Sequence, residues 1–244
     1  MNRDHVEPEM PSIGQITSGI EPKAEKIVPK TISFVHQQLP HWRDDPDRPD
    51  KKSEDELNLQ LCKFLDTQAR NDFPMVRFNH EEPQIDRRRV GLSASPVKAV
   101  TIDARLYTIY DPVLVFECKR FPAPSPKGRE KEYVTGGDAK SGGIQRFKLG
   151  LHGADLNSAV MIAYVQKDSP RHWFYKVNEW IVELATGRVE DICIWNRNEL
   201  LEMIDKCHPK RIIRCKSVHL RTDSVTNNIR LFHFAIDMNM ESYR

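Results

Sequence analysis

The sequence has no apolar run long enough to cross a membrane, no C-x-x-C pair and almost no net charge. A membrane-spanning helix needs about 20 consecutive apolar residues, and the first ten residues lack the apolar centre of a secretory signal. The five cysteines are scattered along the 244 residues, which argues against a zinc ribbon or a disulfide framework. We therefore expect a soluble, cytoplasmic protein with no membrane partner.

Recognition modules with a clear sequence signature are also missing. Glycine pairs stand at 136–137 and 142–143, but neither is followed by the Gly-Lys-Ser/Thr ending of a phosphate-binding P-loop. We find no helix-turn-helix or zinc-finger pattern. A chain of this length holds one sizeable core with appendages, so any functional site is expected within the main domain.

The first 50 residues are rich in proline and charge and show little periodicity. This pattern predicts an extended, Pro-rich N-terminal arm over 1–50, with one short strand at 32–35. Such an arm suits a contact within a homo-oligomer or a larger complex. Residues 51–244 are predicted to form a single domain.

The main domain alternates helical and strand patterns. Ser53 followed by three acids has the pattern of a helix N-cap, with Glu56 at the spacing of a capping box. Strand patterns follow at 75–80, 89–94, 100–109 and 158–165, and further helices are predicted at 143–151, 173–185 and 198–206. Strands at 211–221 and 229–238 would form a C-terminal β-hairpin. This order predicts an α/β fold with a mixed central β-sheet flanked by helices.

The stretch Asp111-Pro-Val-Leu-Val-Phe-Glu-Cys-Lys-Arg120 is the most informative in the chain. A short apolar run after Asp-Pro predicts a buried strand. Side chains alternate along a strand, so Glu117 and Lys119 share one face while Cys118 points to the other. Charged groups are costly to bury without a role, and this pair therefore indicates a functional cleft.

Basic residues flank this strand on both sides. The cluster before it and the segment after it are typical of a surface that binds a phosphate backbone, although a solvated loop surface has the same composition. The predicted nucleic-acid-binding residues are Arg87, Arg88, Arg89, Arg120, Lys127, Arg129, Lys131, Lys140, Arg146 and Lys148.

The order of elements, together with Glu117-Cys-Lys119, resembles the PD-(D/E)XK nuclease superfamily, whose members share the restriction-endonuclease-like fold. The resemblance covers roughly residues 53–166, the predicted core, and leaves helices and the hairpin in 167–244. Glu117 and Lys119 match the second half of the family motif, within Val115-Phe-Glu-Cys-Lys-Arg120. Gln145 stands where many members have a polar residue on the next helix, and Glu54 where several have an additional acid.

The resemblance implies a metal-dependent mechanism. Glu117 and a second acid would hold Mg²⁺ (or Mn²⁺), Lys119 would position or deprotonate the attacking water, and Gln145 would orient the water or a phosphate. The expected partner is DNA, and the expected activity is endonucleolytic hydrolysis of phosphodiester bonds. The effector of a prokaryotic defence or repair complex is one role that such a nuclease would fill.

The sequence departs from the family pattern at the first half-motif. An Asp is expected on the strand paired with 113–119, yet the cleft-facing position there is Gly91. Three alternatives stay open: Asp103 supplies the metal ligand, Asp86 supplies it, or the site has lost a ligand. The last alternative predicts a catalytically degenerate nuclease-like module that binds nucleic acid or scaffolds a protein complex.

Overall fold

The computed structural model describes residues 26–124, 129–205, 211–221 and 226–239. Within these ranges the helices are α1 (Ile27–Asp44), α2 (Glu54–Asp72), α3 (Gly143–Lys148) and α4 (Pro170–Ala185). The strands are β1 (Val76–Pro83), β2 (Arg89–Pro96), β3 (Val100–Ile102), β4 (Arg105–Tyr107), β5 (Leu114–Phe121), β6 (Ser158–Val165), β7 (Glu202–Met203), β8 (Ile212–Leu220) and β9 (Asn228–Asp237).

Seven of the strands form one mixed sheet in the order β1-β2-β5-β6-β9-β8-β7. The three central strands β5, β6 and β9 are parallel, and the pairs on either side are antiparallel. The predicted α/β class with a mixed sheet and flanking helices is confirmed. The C-terminal strands pair as the expected hairpin, and β9 also pairs with β6 along its length.

Two helical layers cover the sheet. On one face, Phe116 contacts Phe78 of β1. On the same face, Tyr164 contacts Trp42 of α1 and donates a hydrogen bond to Asn58 of α2. On the other face, Phe121 stacks on Trp173 of α4 with ring centroids 4.4 Å apart. Because strand side chains alternate, β5 contributes to both layers and is buried along nearly its whole length. The core therefore surrounds the strand that carries Glu117 and Lys119.

The prediction of an extended arm is wrong for residues 27–44, which form α1, and no strand forms at 32–35. Ile27, Val35, Leu39 and Trp42 are buried along one side of this helix. Pro29 lies in the first turn, where the helix has no need of its missing N–H group. Residues 1–25 of the predicted arm lie outside the described residues.

Helix α2 begins as predicted. Ser53 Oγ accepts a hydrogen bond from the backbone N–H of Glu56 at 3.3 Å and donates one to the Glu56 carboxylate at 2.7 Å. Leu57, Leu61 and Leu65 are fully buried under the helix, and each such leucine contributes about 1.5–3 kcal/mol through burial. The cap and this stripe together fix the first turn of α2 beside the end of β5.

Two other elements differ from prediction. The strand expected over 100–109 is a separate hairpin, β3–β4, because Asp103 and Ala104 both adopt positive φ and turn the chain back. The helix expected over 198–206 is replaced, in its described part, by a 3-10 turn at Arg197–Glu199 and the short strand β7. No described helix combines the length and apolar character needed to cross a bilayer.

Candidate active site

Strand β5 presents two charged side chains at the end of the buried sheet. Glu117 and Lys119 lie on the face of the sheet that packs towards α3. In the backbone register, Glu117 pairs with Met161 of β6. Both residues are buried, with relative exposures of 2% and 7%. Burial raises the pKa of the Cys118 thiol well above its usual range, so Cys118 is not an activated nucleophile.

The carboxylate of Glu117 is surrounded by cationic or imidazole groups. Its Oε1 accepts a hydrogen bond from Arg146 Nη1 at 2.8 Å and lies 3.1 Å from Lys119 Nζ. Its Oε2 lies 3.2 Å from His152 Nδ1. Burial alone would raise the pKa of Glu117, but Lys119, His152 and Arg146 outweigh it and hold that pKa well below its usual range. Glu117 is therefore ionised.

A second carboxylate reaches the same ammonium from the start of α2. Lys119 Nζ donates a hydrogen bond to Glu54 Oε1 at 3.1 Å, and the Glu54 side chain keeps 27% of its exposure. Burial opposes the charge on Lys119, yet Glu117 and Glu54 raise its pKa above the ordinary value. Burial and the nearby Glu117 raise the pKa of Glu54, whereas Lys119 opposes the rise. Lys119 is thus a protonated link between two carboxylates.

A small cleft of about 80 Å³ opens over this group. Its ionisable lining includes the acids Glu54, Asp55, Glu81 and Glu117 and the cations Arg89, Lys119 and Arg146. Within the described ranges, no three His, Cys, Asp or Glu side chains are grouped as a ready metal cage. Mg²⁺ commonly takes only one or two protein carboxylates and keeps several waters. Glu54 and Glu117 have the carboxylate oxygens of such a donor set, and Lys119 Nζ lies 3.1 Å from one oxygen of each.

The structure places Gly91 at the border of this cleft. A Cβ atom there would lie 2.9 Å from Asn58 Nδ2 and 3.3 Å from Cys118 Sγ. A side chain at position 91 would therefore meet α2 before it met Glu117. Adding a carboxylate there requires Asn58 to move, although Asn58 Oδ1 accepts a hydrogen bond from Tyr164 Oη at 2.9 Å.

Neither Asp103 nor Asp86 lines the cleft, and this corrects their prediction as metal ligands. Asp103 is exposed in the β3–β4 turn, because the chain reverses there instead of continuing as a strand towards Glu117. Asp86 is exposed in a 3-10 turn between β1 and β2 with φ of 56°. Of the four predicted metal ligands, Glu54 and Glu117 are the two that the structure brings together.

Gln145 is fully buried but contacts the glycine-rich loop instead of the cleft. Its Oε1 accepts hydrogen bonds from the backbone N–H groups of Gly136 and Gly142, and its Nε2 donates to Gly137 O at 2.8 Å. The next residue, Arg146, is the one whose side chain reaches Glu117. The predicted catalytic role of Gln145 is corrected to one of holding the loop.

The predicted basic residues separate into several groups. Lys148 is buried against Glu199 and cannot contact a nucleic acid; Arg129 and Lys131 pair with Glu132 and Glu183. Arg89 pairs with Glu81, and Arg88 donates to the backbone oxygen of Lys140 at 3.1 Å, which joins the β1–β2 connection to the glycine-rich loop. Arg87 is exposed, Arg120 donates to Lys52 O, and Lys127 lies outside the described residues.

His152 is a site residue that the sequence did not reveal. It is fully buried, and neither ring nitrogen makes a hydrogen bond within the described part of the chain, although Nδ1 approaches Glu117. Arg221 holds the backbone around it through bonds to Phe147 O at 2.9 Å and Gly153 O at 2.8 Å. A single histidine in a loop carries no pattern that would have identified this position.

A second buried polar network lies behind α3. Lys148 Nζ donates to both oxygens of Glu199, at 2.6 and 2.7 Å. From Glu199 the contacts continue through His219, Ser217 and His233 to Tyr133, with separations of 3.3, 2.7, 2.7 and 2.8 Å. All of these side chains are buried. The network anchors α3, and with it Arg146, to β8 and β9.

Comparison of the chain with protein-family models, curated proteins and solved structures finds no match. The family resemblance therefore stays a prediction.

Proposed function

We propose that this chain is a metal-dependent nuclease that hydrolyses phosphodiester bonds of DNA, with a restriction-endonuclease-like core. One observation carries the proposal: Lys119 links the carboxylates of Glu54 and Glu117 at the end of the central strand. Two carboxylates and a cation in one cleft match the needs of phosphodiester hydrolysis, in which a charged phosphate is attacked by water.

Glu54 and Glu117 would hold Mg²⁺ (or Mn²⁺), and the ion would polarise the phosphodiester and stabilise the leaving oxygen. Lys119 is held protonated by its two acidic neighbours. It therefore acts as a hydrogen-bond donor to the attacked phosphate and offsets the negative charge that develops there, rather than accepting a proton from water. Arg146 fixes the orientation of Glu117 by its hydrogen bond to Oε1, and His152 Nδ1 lies 3.2 Å from Oε2.

The test is cleavage of supercoiled and linear DNA by the purified protein with Mg²⁺ or Mn²⁺. Glu117→Gln and Lys119→Met should each lower the cleavage rate at least about 100-fold, the scale of losing one positioned polar group. Lys176→Met is the control, because the Lys176 side chain is 41% exposed on α4, pairs with Glu179 and does not line the cleft. Absence of cleavage by the parent protein with either metal would refute the proposal, provided that circular dichroism shows a folded chain.

A second function is favoured by a different observation. Glu117 is already compensated by Lys119 and Arg146, and Gly91 offers no carboxylate. These features suit a nuclease-like module that binds nucleic acid without cutting it. Such a module would bind DNA equally well with or without EDTA, and its parent form would leave every DNA substrate intact.

A further inference from the structure

A second pocket lies beside the candidate active site. It has a volume of about 360 Å³ and lies where the parallel strands β6 and β9 end. The connector between α1 and α2 supplies Arg48, Asp50, Lys51 and Lys52, and the residues just after the strands supply Gln166 and Asn239. Three of these side chains are cationic and one is acidic. Ligands of α/β proteins commonly bind at the carboxyl ends of parallel strands.

Arg48 is the most informative residue of this pocket. Its guanidinium lies over the Trp42 ring, 5.1 Å from the centroid. Its Nε and Nη1 atoms are buried and have no hydrogen-bond partner within the described ranges. Buried donors without acceptors are costly, at about 1–3 kcal/mol each, and are rare in folded proteins. An arginine held flat on an aromatic ring, with donors that no described residue uses, is suited to charge-assisted hydrogen bonds with a phosphate.

The backbone ties this pocket to the cleft. Lys52 O accepts hydrogen bonds from Arg120 Nη1 and Gln166 Nε2, both at 2.8 Å. These bonds fix the connector across the ends of β5 and β6. The next residue, Ser53, caps α2, and Glu54 then reaches Lys119. The pocket and the candidate site therefore adjoin along three consecutive residues.

We propose that this pocket is a phosphate subsite that binds the nucleic-acid backbone next to the phosphodiester in the cleft. The inference rests on the proposed function for its ligand, but its test measures binding and not cleavage. Arg48 contributes directional hydrogen bonds, and Lys52 contributes charge, since it makes no ion pair with a described residue. Lys51 is partly engaged by Glu56 at 2.9 Å.

The experiment measures the affinity of fluorescently labelled DNA by anisotropy, in EDTA, over a series of salt concentrations. Arg48→Gln and Lys52→Gln should each lower the affinity at least about threefold and reduce the slope of log K against log salt by about one. Arg48→Lys should keep the slope and lose affinity, because the charge stays while the planar guanidinium and its stacking on Trp42 are lost. Lys63→Gln is the matched control, an exposed lysine of α2 that lines neither pocket.

Equal effects of the pocket variants and Lys63→Gln would overturn the proposal. Since Arg48 packs on Trp42, thermal melts of each variant are needed, and Lys52→Gln tests the same pocket without that contact. A second arm follows the Arg48 Nε–H signal by NMR during titration with a DNA oligonucleotide or inorganic phosphate. A response to DNA supports the subsite; a response to inorganic phosphate alone points to a free anion and overturns it.

The two proposals fail separately. If the parent protein binds DNA through Arg48 and Lys52 but never cleaves it, the nuclease proposal fails and the subsite stands. If cleavage depends on Glu117 while the pocket variants bind DNA like the Lys63 control, the subsite fails and the nuclease proposal stands.

Discussion

Arg146 Nη1 donates a hydrogen bond to Glu117 Oε1 at 2.8 Å and so connects α3 to the central strand. The same oxygen lies 3.1 Å from Lys119 Nζ. A buried carboxylate is stable only when its charge is compensated, and here the compensation comes from two different elements. The position of α3 therefore decides the electrostatic state of Glu117.

Replacement of Arg146 should change that state directly. Arg146→Met removes one charged hydrogen bond, which typically contributes about 1.5–3 kcal/mol, and leaves Lys119 as the nearest cation. We expect lower stability in urea denaturation and a rise in the pKa of Glu117, followed through its carboxyl carbon by NMR. Arg146→Lys keeps the positive charge, so it should lower the stability less and raise the pKa of Glu117 less than Arg146→Met does. An unchanged titration of Glu117 in Arg146→Met would show that the arginine does not control this charge.

Glu54 should behave as a residue kept for function rather than for stability. Its pKa is raised, mainly by burial, so the folded state binds its proton more tightly than the unfolded state does. The contribution of Glu54 to stability is thus greatest at acidic pH and declines as pH rises through the raised pKa. We expect Glu54→Gln to keep or increase stability at neutral pH, while DNA cleavage falls about 100-fold. A large loss of stability in thermal melts would contradict this expectation.

Lys148 and Glu199 form a buried pair, each with a side-chain exposure of 2%. Removing one partner leaves an uncompensated charge, so Lys148→Met or Glu199→Gln should cost about 3–5 kcal/mol. The double variant Lys148→Met/Glu199→Gln should recover part of that loss, because neither buried charge remains. The exposed pair Lys176–Glu179 provides the control, since pairs of that kind contribute at most about 1 kcal/mol. Additive losses in the double variant would refute the coupling.

His219 and His233 should make the fold sensitive to mild acid. Burial lowers the pKa of both rings. For His219, the neighbouring Glu199 opposes this lowering but does not cancel it. As pH falls below about 6.5, the ordinary pKa of histidine, these rings take up protons in the unfolded chain before they do so in the folded chain. The free energy of unfolding therefore declines below that pH. Above it, the two rings make no pH-dependent contribution.

Each ring should add a slope of about 1.4 kcal/mol per pH unit to that decline. His233→Gln should therefore flatten the dependence of unfolding free energy on pH by one ring's share, measured by urea denaturation at several pH values. The same slope in parent and variant would mean that His233 is protonated in the folded chain.

Local sequence patterns predicted the strand of Glu117 and Lys119 and the capped start of α2 because each depends on neighbours in the chain. An apolar run after Asp-Pro defines β5, and Ser53 with Glu56 defines the cap. Helix α1 was missed because its prolines resemble breaks, whereas Pro29 occupies a tolerated first-turn position. The burial of the apolar side of α1 against the sheet stabilises the helix despite its prolines.

The residues that line the cleft were harder to predict than these elements, because their positions depend on contacts between distant segments of the chain. Hydrogen bonds to the glycine-rich loop hold Gln145 away from the cleft, and Arg146 contacts Glu117 instead. A two-residue turn places Asp103 at the tip of a hairpin and not within the continuous strand predicted over 100–109. His152 reaches Glu117 through a loop held by Arg221 from the end of β8, and no local pattern records that contact.

The parallel arrangement of the central strands has a consequence for the order of folding. Glu117 pairs through its backbone with Met161, and Met161 pairs with His233, so the middle of the sheet joins segments that are far apart in sequence. Contacts of this kind form slowly, because the entropy cost of closing a long loop comes before the stabilising contacts are made. The candidate site is complete only after β9 has docked. A partly synthesised chain that ends before β9 would contain Glu54, Glu117 and α3, but the polar network that anchors α3 would lack His233.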